Sequence, residues 1–299
     1  MPNEQTLAAS DRNPGAPPGH LYVVGTPIGN LEDITLRALR VLKEADVVAC
    51  EDTRRTRQLL DHYGIETPTV SYHDHNEFTR APELIIRMEE GQDIALVSDA
   101  GMPLVSDPGF RLVNLAVRHG VTVIPVPGAS ALVATLAAGG LPVEEFRFVG
   151  FLPAKRLPRQ RFLRELKHER ALVFYEAPQR VTESLGDVLA ILGDRPLVLA
   201  REVTKLHEEF LRGKVSEVLV RLKEKVVKGE ITVLLGPSED GAESVPIAAG
   251  QSLQDELDRT MSEQGIDERA ALKHVAKARG ISKSEAYRQW QSEKSAPEG

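Results

Sequence analysis

A two-domain α/β fold is what this sequence predicts: a parallel N-terminal domain, a mixed-sheet α+β second domain and a small C-terminal helical appendage. Three observations lead there. Short apolar runs alternate with helical patterns through the first 126 residues, strand-like runs crowd together after residue 197, and a polar, Gly-containing stretch after Pro237 precedes an all-helical tail. The length, 299 residues with 41% apolar and 27% charged content, accommodates two ordinary domains.

Residues 1–19 are rich in Pro, Gly, Ala and Asn without periodicity and read as a disordered lead-in. The N-terminal domain, 20–128, has strand signals at 21–24, 47–50, 69–72, 94–97 and 121–126. Helical patterns fall near 34–44, 53–61, 80–90 and 108–119. Asp107-Pro108 predicts the start of the last of these, an N-cap acceptor followed by proline at the first helical position, and Gly120 its end. Pro125-Val126-Pro127-Gly128 breaks the pattern and marks the domain junction.

The second domain, 129–238, opens with a helix of small residues ending at Gly139-Gly140. Strands follow at 147–151, 171–175, 197–200, 207–211 and 231–235, around helices near 159–168, 178–192 and 214–225. The close strand spacing after 197 predicts antiparallel pairs. Residues 239–250 read as a linker and 251–299 as helical. Asp267 is placed to cap a helix over 268–278, Gly280 to end it, and Ser282-Lys283-Ser284-Glu285 to open another as a capping box.

Composition excludes several classes. A single cysteine, Cys50, rules out a disulfide framework or a cysteine metal cluster and reads as a buried strand-end thiol. No run approaches a membrane span and no signal peptide is present, so a cytoplasmic protein is expected. The net charge of −7 is unevenly spread: 153–170 carries +5 and 270–290 carries +4, leaving −16 elsewhere. Each basic segment alone reads equally as a solvated face; together they point to a polyanion.

Among the motifs, Gly25-Thr26-Pro27-Ile28-Gly29-Asn30 lacks G-x-G-x-x-G spacing, and its proline removes an amide that would face a pyrophosphate. No Walker, G-x-S-x-G or H-E-x-x-H sequence occurs, which disfavours hydride transfer, NTP hydrolysis and zinc catalysis. His73 and His75 flank Asp74 and would share a strand face, but no third ligand is identifiable. A polar loop fits them better than a metal site. The run 94–109 ends an apolar strand in Ser98, Asp99, Ala100, Gly101 and Pro103, where open α/β sheets collect ligands. Glu51-Asp52-Thr53-Arg54-Arg55 meets the same rim, with helix capping by Asp52 or Thr53 as its plain role and a phosphate contact by Arg54 or Arg55 as its functional one. Phe174 to Arg180, Arg201 to Lys205 and Gly229 to Val233 add further polar strand ends.

Taken together, VVGTPIGNLEDIT, CEDTRRT, SDAGMPLVSDPG, PVPGASA, GFLP, FYEAPQR, AREVTK and GEITVLLGP, from Leu21 to Pro237, resemble the ribosomal RNA small-subunit methyltransferase I family of the tetrapyrrole methylase superfamily. Met102 departs from the small polar residue expected there. The resemblance implies a tetrapyrrole-methylase-like fold and S-adenosylmethionine bound bent between two α/β domains. It also implies a homodimer and, as acceptor, a cytidine 2′-hydroxyl in the decoding region of 16S rRNA, free or in the small ribosomal subunit. Donor contacts are implied for Thr26, Pro27, Asp99, Ala100, Gly101, Pro103, Gly128, Ala129 and Ser130, and for Glu176, Ala177, Thr204 and Thr232. Asp52, Glu202 and Lys205 are the candidates for activating the acceptor hydroxyl. Arg54, Arg55, Lys155, Arg156, Arg159 and Arg161 are the candidate RNA contacts, and no metal is expected. A small-molecule methylase of the same fold and a non-catalytic RNA-binding assembly factor are the competing readings.

Overall fold

A computed structural model describes residues 17–223, 227–237, 257–258, 260–262, 265–278, 286–288 and 290–291. Two compact units divide the chain, the first ending at Ser238. Most of the expected lead-in, the 239–250 linker, Gly280 and the Ser282–Glu285 capping box lie outside the described residues.

In the first unit, β1 (His20–Val24), β2 (Val47–Cys50), β3 (Thr69–Ser71), β4 (Ile94–Val97) and β5 (Thr122–Val126) form a wholly parallel sheet ordered β3-β2-β4-β1-β5. β2 and β4 are buried at every residue, which is why they read as continuous apolar runs rather than alternating ones. Helices α1 (Leu36–Glu44) and α2 (Thr53–His62) cover one face, setting Val41, Leu42 and Leu60 against Val24, Val48 and Ala95. Helices α3 (Glu77–Glu89) and α4 (Phe110–Arg118) cover the other, setting Leu84, Met88 and Leu112 against Leu21, Val47 and Leu96. The neighbours β1 and β4 send their connections in opposite directions across the sheet. A crevice therefore opens at their carboxyl ends, where such folds bind ligands.

The start of α4 differs from the sequence expectation. Its N-cap is Gly109, at φ 140°, without a side-chain cap, and Asp107 takes no part. The turn before it passes through Leu104 at φ 71° and Ser106 at φ 65°, delaying the helix beyond Pro108. One amide of its first turn, that of Leu112, donates instead to the Tyr72 hydroxyl at 3.2 Å. Asp52, by contrast, caps α2, its Oδ1 accepting from the Arg54 amide at 2.9 Å. β3 ends at Ser71, so His73 and His75 stand in a turn rather than on a strand face.

The second sheet, β6 (Arg147–Phe151), β7 (Leu172–Glu176), β8 (Pro196–Arg201), β9 (Glu209–Lys214) and β10 (Ile231–Leu235), is ordered β6-β7-β10-β8-β9, parallel only between β6 and β7. Helix α5 (Ala131–Gly139) follows β5 directly yet lies on this second sheet, with Leu132 and Leu136 against Val173, Val198 and Leu234. Helices α6 (Arg156–Glu165), α7 (Val181–Leu192) and α8 (Val215–Lys223) bury Leu163, Leu185, Val188 and Val218 on the opposite face. In the C-terminal unit, α9 (Glu268–Ala278) is capped by Asp267, which accepts from the Ala270 amide at 2.8 Å. Ala271, Leu272, Val275 and Ala276 join Leu257, Ala286 and Trp290 in a small core of its own, the stripe expected of an amphipathic helix.

Candidate active site

Two rim loops are fastened to each other before any side chain reaches the crevice. After β1, Thr26 and Gly101 exchange backbone hydrogen bonds at 2.9 and 3.1 Å. The buried Thr26 hydroxyl also donates to Ser98 O at 3.1 Å. Gly25 lies against Gly128: a Cβ on Gly25 would stand 2.7 Å from the Gly128 Cα, and one on Gly128 2.8 Å from the Gly25 Cα. Both positions need glycine so that the β1 and β5 ends can touch.

Between this rim and the carboxyl end of β7 lies a cavity of ≈390 Å³, within the range of small-molecule sites. Ala100, Gly101, Ser130, Glu176, Ala177 and Thr232 line it, all expected from the sequence. Ile28, Met102, Val203 and Ile231 supply apolar wall, and Phe151 and Tyr175 an aromatic one, their rings 5.6 Å apart. Gly101, at φ 80°, has its absent Cβ 3.3 Å from Ile28 and 3.5 Å from the Ala129 carbonyl. Its missing side chain keeps the floor open. An apolar, partly aromatic cleft with a few fixed polar groups fits a small organic ligand that carries a flat ring.

Several polar groups at the rim are already committed. The Glu176 carboxylate is buried, accepting from the Ala177 amide at 2.8 Å and the Ser184 hydroxyl at 2.5 Å, with Arg180 at 2.7 Å. It shapes the turn at Ala177. Ser130 caps α5, its Oγ 3.4 Å from the Val133 amide. Thr204, at φ 68°, donates to Asp33 Oδ2 at 2.5 Å and so ties the β8–β9 turn to the first sheet's 3-10 turn. Thr26, Pro27 and Asp99 line a second, adjoining cavity with Arg55, Lys205 and Glu230. Pro103, Gly128, Ala129 and Thr204 line neither cavity.

The three residues expected to activate a hydroxyl are held in other work. Two hydrogen bonds from the Arg54 guanidinium and one from its amide hold the Asp52 carboxyl at about 2, too acidic for a useful base. Glu202 accepts from the Glu230 amide at 2.9 Å and from Lys205 at 3.0 Å, and these contacts lower its carboxyl despite partial burial. Lys205 bridges Glu202 and Glu230, each at 3.0 Å. Burial works against its charge, but the two carboxylates prevail and raise its ammonium.

Of the candidate RNA contacts, Arg159 is corrected: it is fully buried. Its Nη2 lies 2.7 Å from both Asp187 and Glu183, and its Nη1 donates to Ala154 O at 3.2 Å. It anchors α6 to α7 and presents nothing to a polyanion. Lys155, Arg156 and Arg161 are exposed, although Arg156 approaches Asp187 at 3.4 Å. Arg54 pairs with Asp52 and Arg55 with Asp99, both from exposed positions.

Sequence reasoning missed Phe151, Tyr175 and Asp107 in the cavity wall. The aromatic pair was present as signal in GFLP and FYEAPQR. Asp107 was hidden by its likeness to a helix cap. Burial, reinforced by Glu51, Asp99 and Asp74, pushes its carboxyl up to about 6. The same wall raises the Tyr175 phenol, through burial and then the Asp107 charge.

Residues 20–219 match the family model described as tetrapyrrole (corrin/porphyrin) methylases. The chain is 46% identical over 270 residues to the ribosomal RNA small subunit methyltransferase I of Halalkalibacterium halodurans, covering 90% of this chain and 93% of that one. It is 50% identical over 222 residues to that of Thermotoga maritima, covering 74% and 100%. Among solved structures, uroporphyrin-III C-methyltransferase from Thermus thermophilus superposes with TM-score 0.51 at 26% identity, covering 73% of this chain and 94% of that one. The same enzyme complexed with S-adenosyl homocysteine gives 0.51 at 24%, covering 72% and 97%.

Proposed function

The chain belongs to the tetrapyrrole methylase family, among its ribosomal RNA small subunit methyltransferase I members, and we propose that it methylates the ribose 2′-hydroxyl of a cytidine in the decoding region of 16S rRNA. The methyl donor is S-adenosylmethionine, which supplies an electrophilic sulfonium methyl. The observation that carries the reading is the cleft at the carboxyl ends of β1, β4 and β7, where Ala100, Gly101, Ala177 and Thr232 converge across ≈390 Å³. Its residues fit the donor. The aromatic and aliphatic wall of Tyr175, Ile28, Val203 and Ile231 suits an adenine face, and the turn fixed by Glu176 presents backbone at Ala177. Thr26, Pro27, Asp99, Pro103, Gly128, Ala129, Ser130 and Thr204 brace or flank this surface, which must hold the acceptor oxygen in line with the departing sulfur.

The polyanion enters from the basic side. Lys155, Arg156 and Arg161 on and beside α6 present exposed cations toward solvent, with Arg54 and Arg55 at the rim, suited to phosphate contacts that position a substrate without reading its sequence. The acidic remainder of the surface limits non-specific binding. In solution the chain acts as a homodimer on the rRNA or the small ribosomal subunit.

Transfer of labelled methyl from S-adenosylmethionine to small subunits lacking the modification, followed by nucleoside analysis, tests the reading. Label on a cytidine 2′-oxygen is the expected result. Label on a base, or transfer only to a small tetrapyrrole, overturns it. Donor binding without transfer to any RNA favours the small-molecule methylase, and RNA binding with no donor binding the non-catalytic assembly factor.

A further inference from the structure

Asp107 carries the furthest inference. It lines the donor cleft, beside Ser106 and opposite Tyr175. It also lines a neighbouring groove of ≈450 Å³ with Asp74, Glu77, Phe110, Arg111, Asn114 and Arg118. The residue therefore belongs to the wall shared by the cavity fitted to the donor and a groove open to solvent that carries two guanidinium groups. An acceptor nucleotide in that groove would set a phosphate near Arg118, Arg111 being paired with Glu77 at 3.5 Å and stacked on Phe78, and its ribose edge against Asp107.

The carboxylate is unengaged. The role its sequence suggests, capping α4, is absent, because the helix begins at Phe110 and Tyr72 serves the Leu112 amide. Among the described residues Asp107 accepts no hydrogen bond and forms no ion pair. It is half-buried in a turn where two non-glycine residues, Leu104 and Ser106, hold positive φ. A half-buried, unpaired carboxylate on a strained loop lowers stability, and such features cluster where chemistry is done. Of the other carboxylates at the rim, Asp52 is tied to Arg54, Asp99 to Arg55 and the Asp52 amide, Glu176 to Arg180 and Ser184, and Glu202 to Lys205; Glu51, whose carboxyl burial likewise raises, lines neither the donor cleft nor the groove.

We propose that Asp107 is the catalytic base that removes the proton of the acceptor ribose hydroxyl as the methyl group is transferred. This rests on the proposed RNA methylation. The O–CH3 bond forms as the S–CH3 bond breaks, the bonding pair returns to sulfur to give the thioether, and the hydroxyl proton goes to an Asp107 carboxylate oxygen and then to water. The surroundings suit the task. Glu51 from the end of β2, Asp74 from the turn before α3 and Asp99 from the end of β4 raise the Asp107 carboxyl along with burial. Tyr175 faces it from β7, and Arg111 and Glu77 from the groove. A carboxyl at about 6 is ionised at neutral pH yet basic enough to take a proton in the transition state.

The test uses the full-length protein, S-adenosylmethionine and unmodified small ribosomal subunits under single-turnover conditions. Wild-type rate is expected to rise with pH through about 6 and then level. Asp107→Asn should lose about 10²–10⁴-fold in rate and this pH limb, with donor affinity by calorimetry nearly intact. Asp107→Glu should keep the limb at reduced rate. The Asn variant also reports its own folding. A carboxyl whose folded pKa lies above its unfolded one costs stability increasingly between about 4 and 6 and fully above, so Asp107→Asn should melt higher than wild type at pH 7.5 and alike below pH 4. Transfer retained within about threefold by Asp107→Asn, or a pH limb that survives in it, overturns the proposal alone. Absence of transfer by the wild-type protein to any RNA overturns the RNA reading and this proposal with it.

Discussion

Replacing Arg159 by methionine separates a structural arginine from an RNA-binding one. The guanidinium is fully buried between Asp187, itself 4% exposed, and Glu183 on the exposed end of the network. Burial alone would raise the Asp187 carboxyl, but hydrogen bonds from Gln160 and Arg159 bring it below the usual range. Removing one partner of a buried pair costs about 3–5 kcal/mol, because the other charge stays buried without compensation. Asp187 retains Gln160 at 2.8 Å and Arg156 at 3.4 Å, which puts Arg159→Met at the low end, about 3 kcal/mol. For a chain of this size that is a fall of about 6–12 °C in thermal midpoint. Arg159→Met/Asp187→Leu should recover most of the loss, since replacing the whole pair with apolar groups is often neutral. Circular dichroism melts read the midpoints, and filter binding to rRNA over a salt series, below the melting range, should find the Arg159→Met slope unchanged. A midpoint within about 2 °C of wild type, coupled with a shallower salt slope, would refute the buried-network account.

Three further outcomes follow from the geometry. Gly128→Ala places a Cβ 2.8 Å from the Gly25 backbone and should cost about 1–3 kcal/mol by urea denaturation, with weakened donor binding in calorimetry. Lys155→Gln/Arg161→Gln should flatten the slope of log affinity against log salt by about 0.7–0.9 for each phosphate no longer neutralised, leaving the midpoint and donor affinity alone. Asp52→Ala should melt below wild type at neutral pH. The Asp52 carboxyl is lowered to about 2 by Arg54, so its contribution is present above the unfolded value near 3.8 and fades as pH falls through about 2.

The parallel sheet was legible because β2 and β4 are buried on both faces, which writes uninterrupted apolar runs into the chain. The mixed sheet was legible from strand spacing, since β8 and β9 pair antiparallel across a short connection, whereas β10 returns through α8 to pair antiparallel with β8 and β7. The C-terminal cap at Asp267 followed from local chemistry alone. What escaped depended on neighbours distant in sequence. Arg159 sits in a basic run like its exposed neighbours, and only the carboxylates of α7, 24 and 28 residues on, draw it inside. Asp107-Pro108 carries every local mark of a helix start, but positive φ at Leu104 and Ser106 and the Tyr72 hydroxyl, 40 residues from Leu112, settle that start elsewhere. That the hydroxyls of Thr26 and Thr204 donate to Ser98 O and Asp33 Oδ2 was likewise out of reach, the partners lying 72 and 171 residues away.

A crystal structure of the chain with S-adenosylhomocysteine tests the central claim most directly. The account predicts the ligand in the cleft between Gly101 and Thr232, its base against the wall of Tyr175, Ile28 and Ile231, and Asp107 facing the position vacated by the methyl group. A ligand seated instead in the adjoining cavity beside Arg55 and Lys205, or outside the first unit altogether, would contradict it.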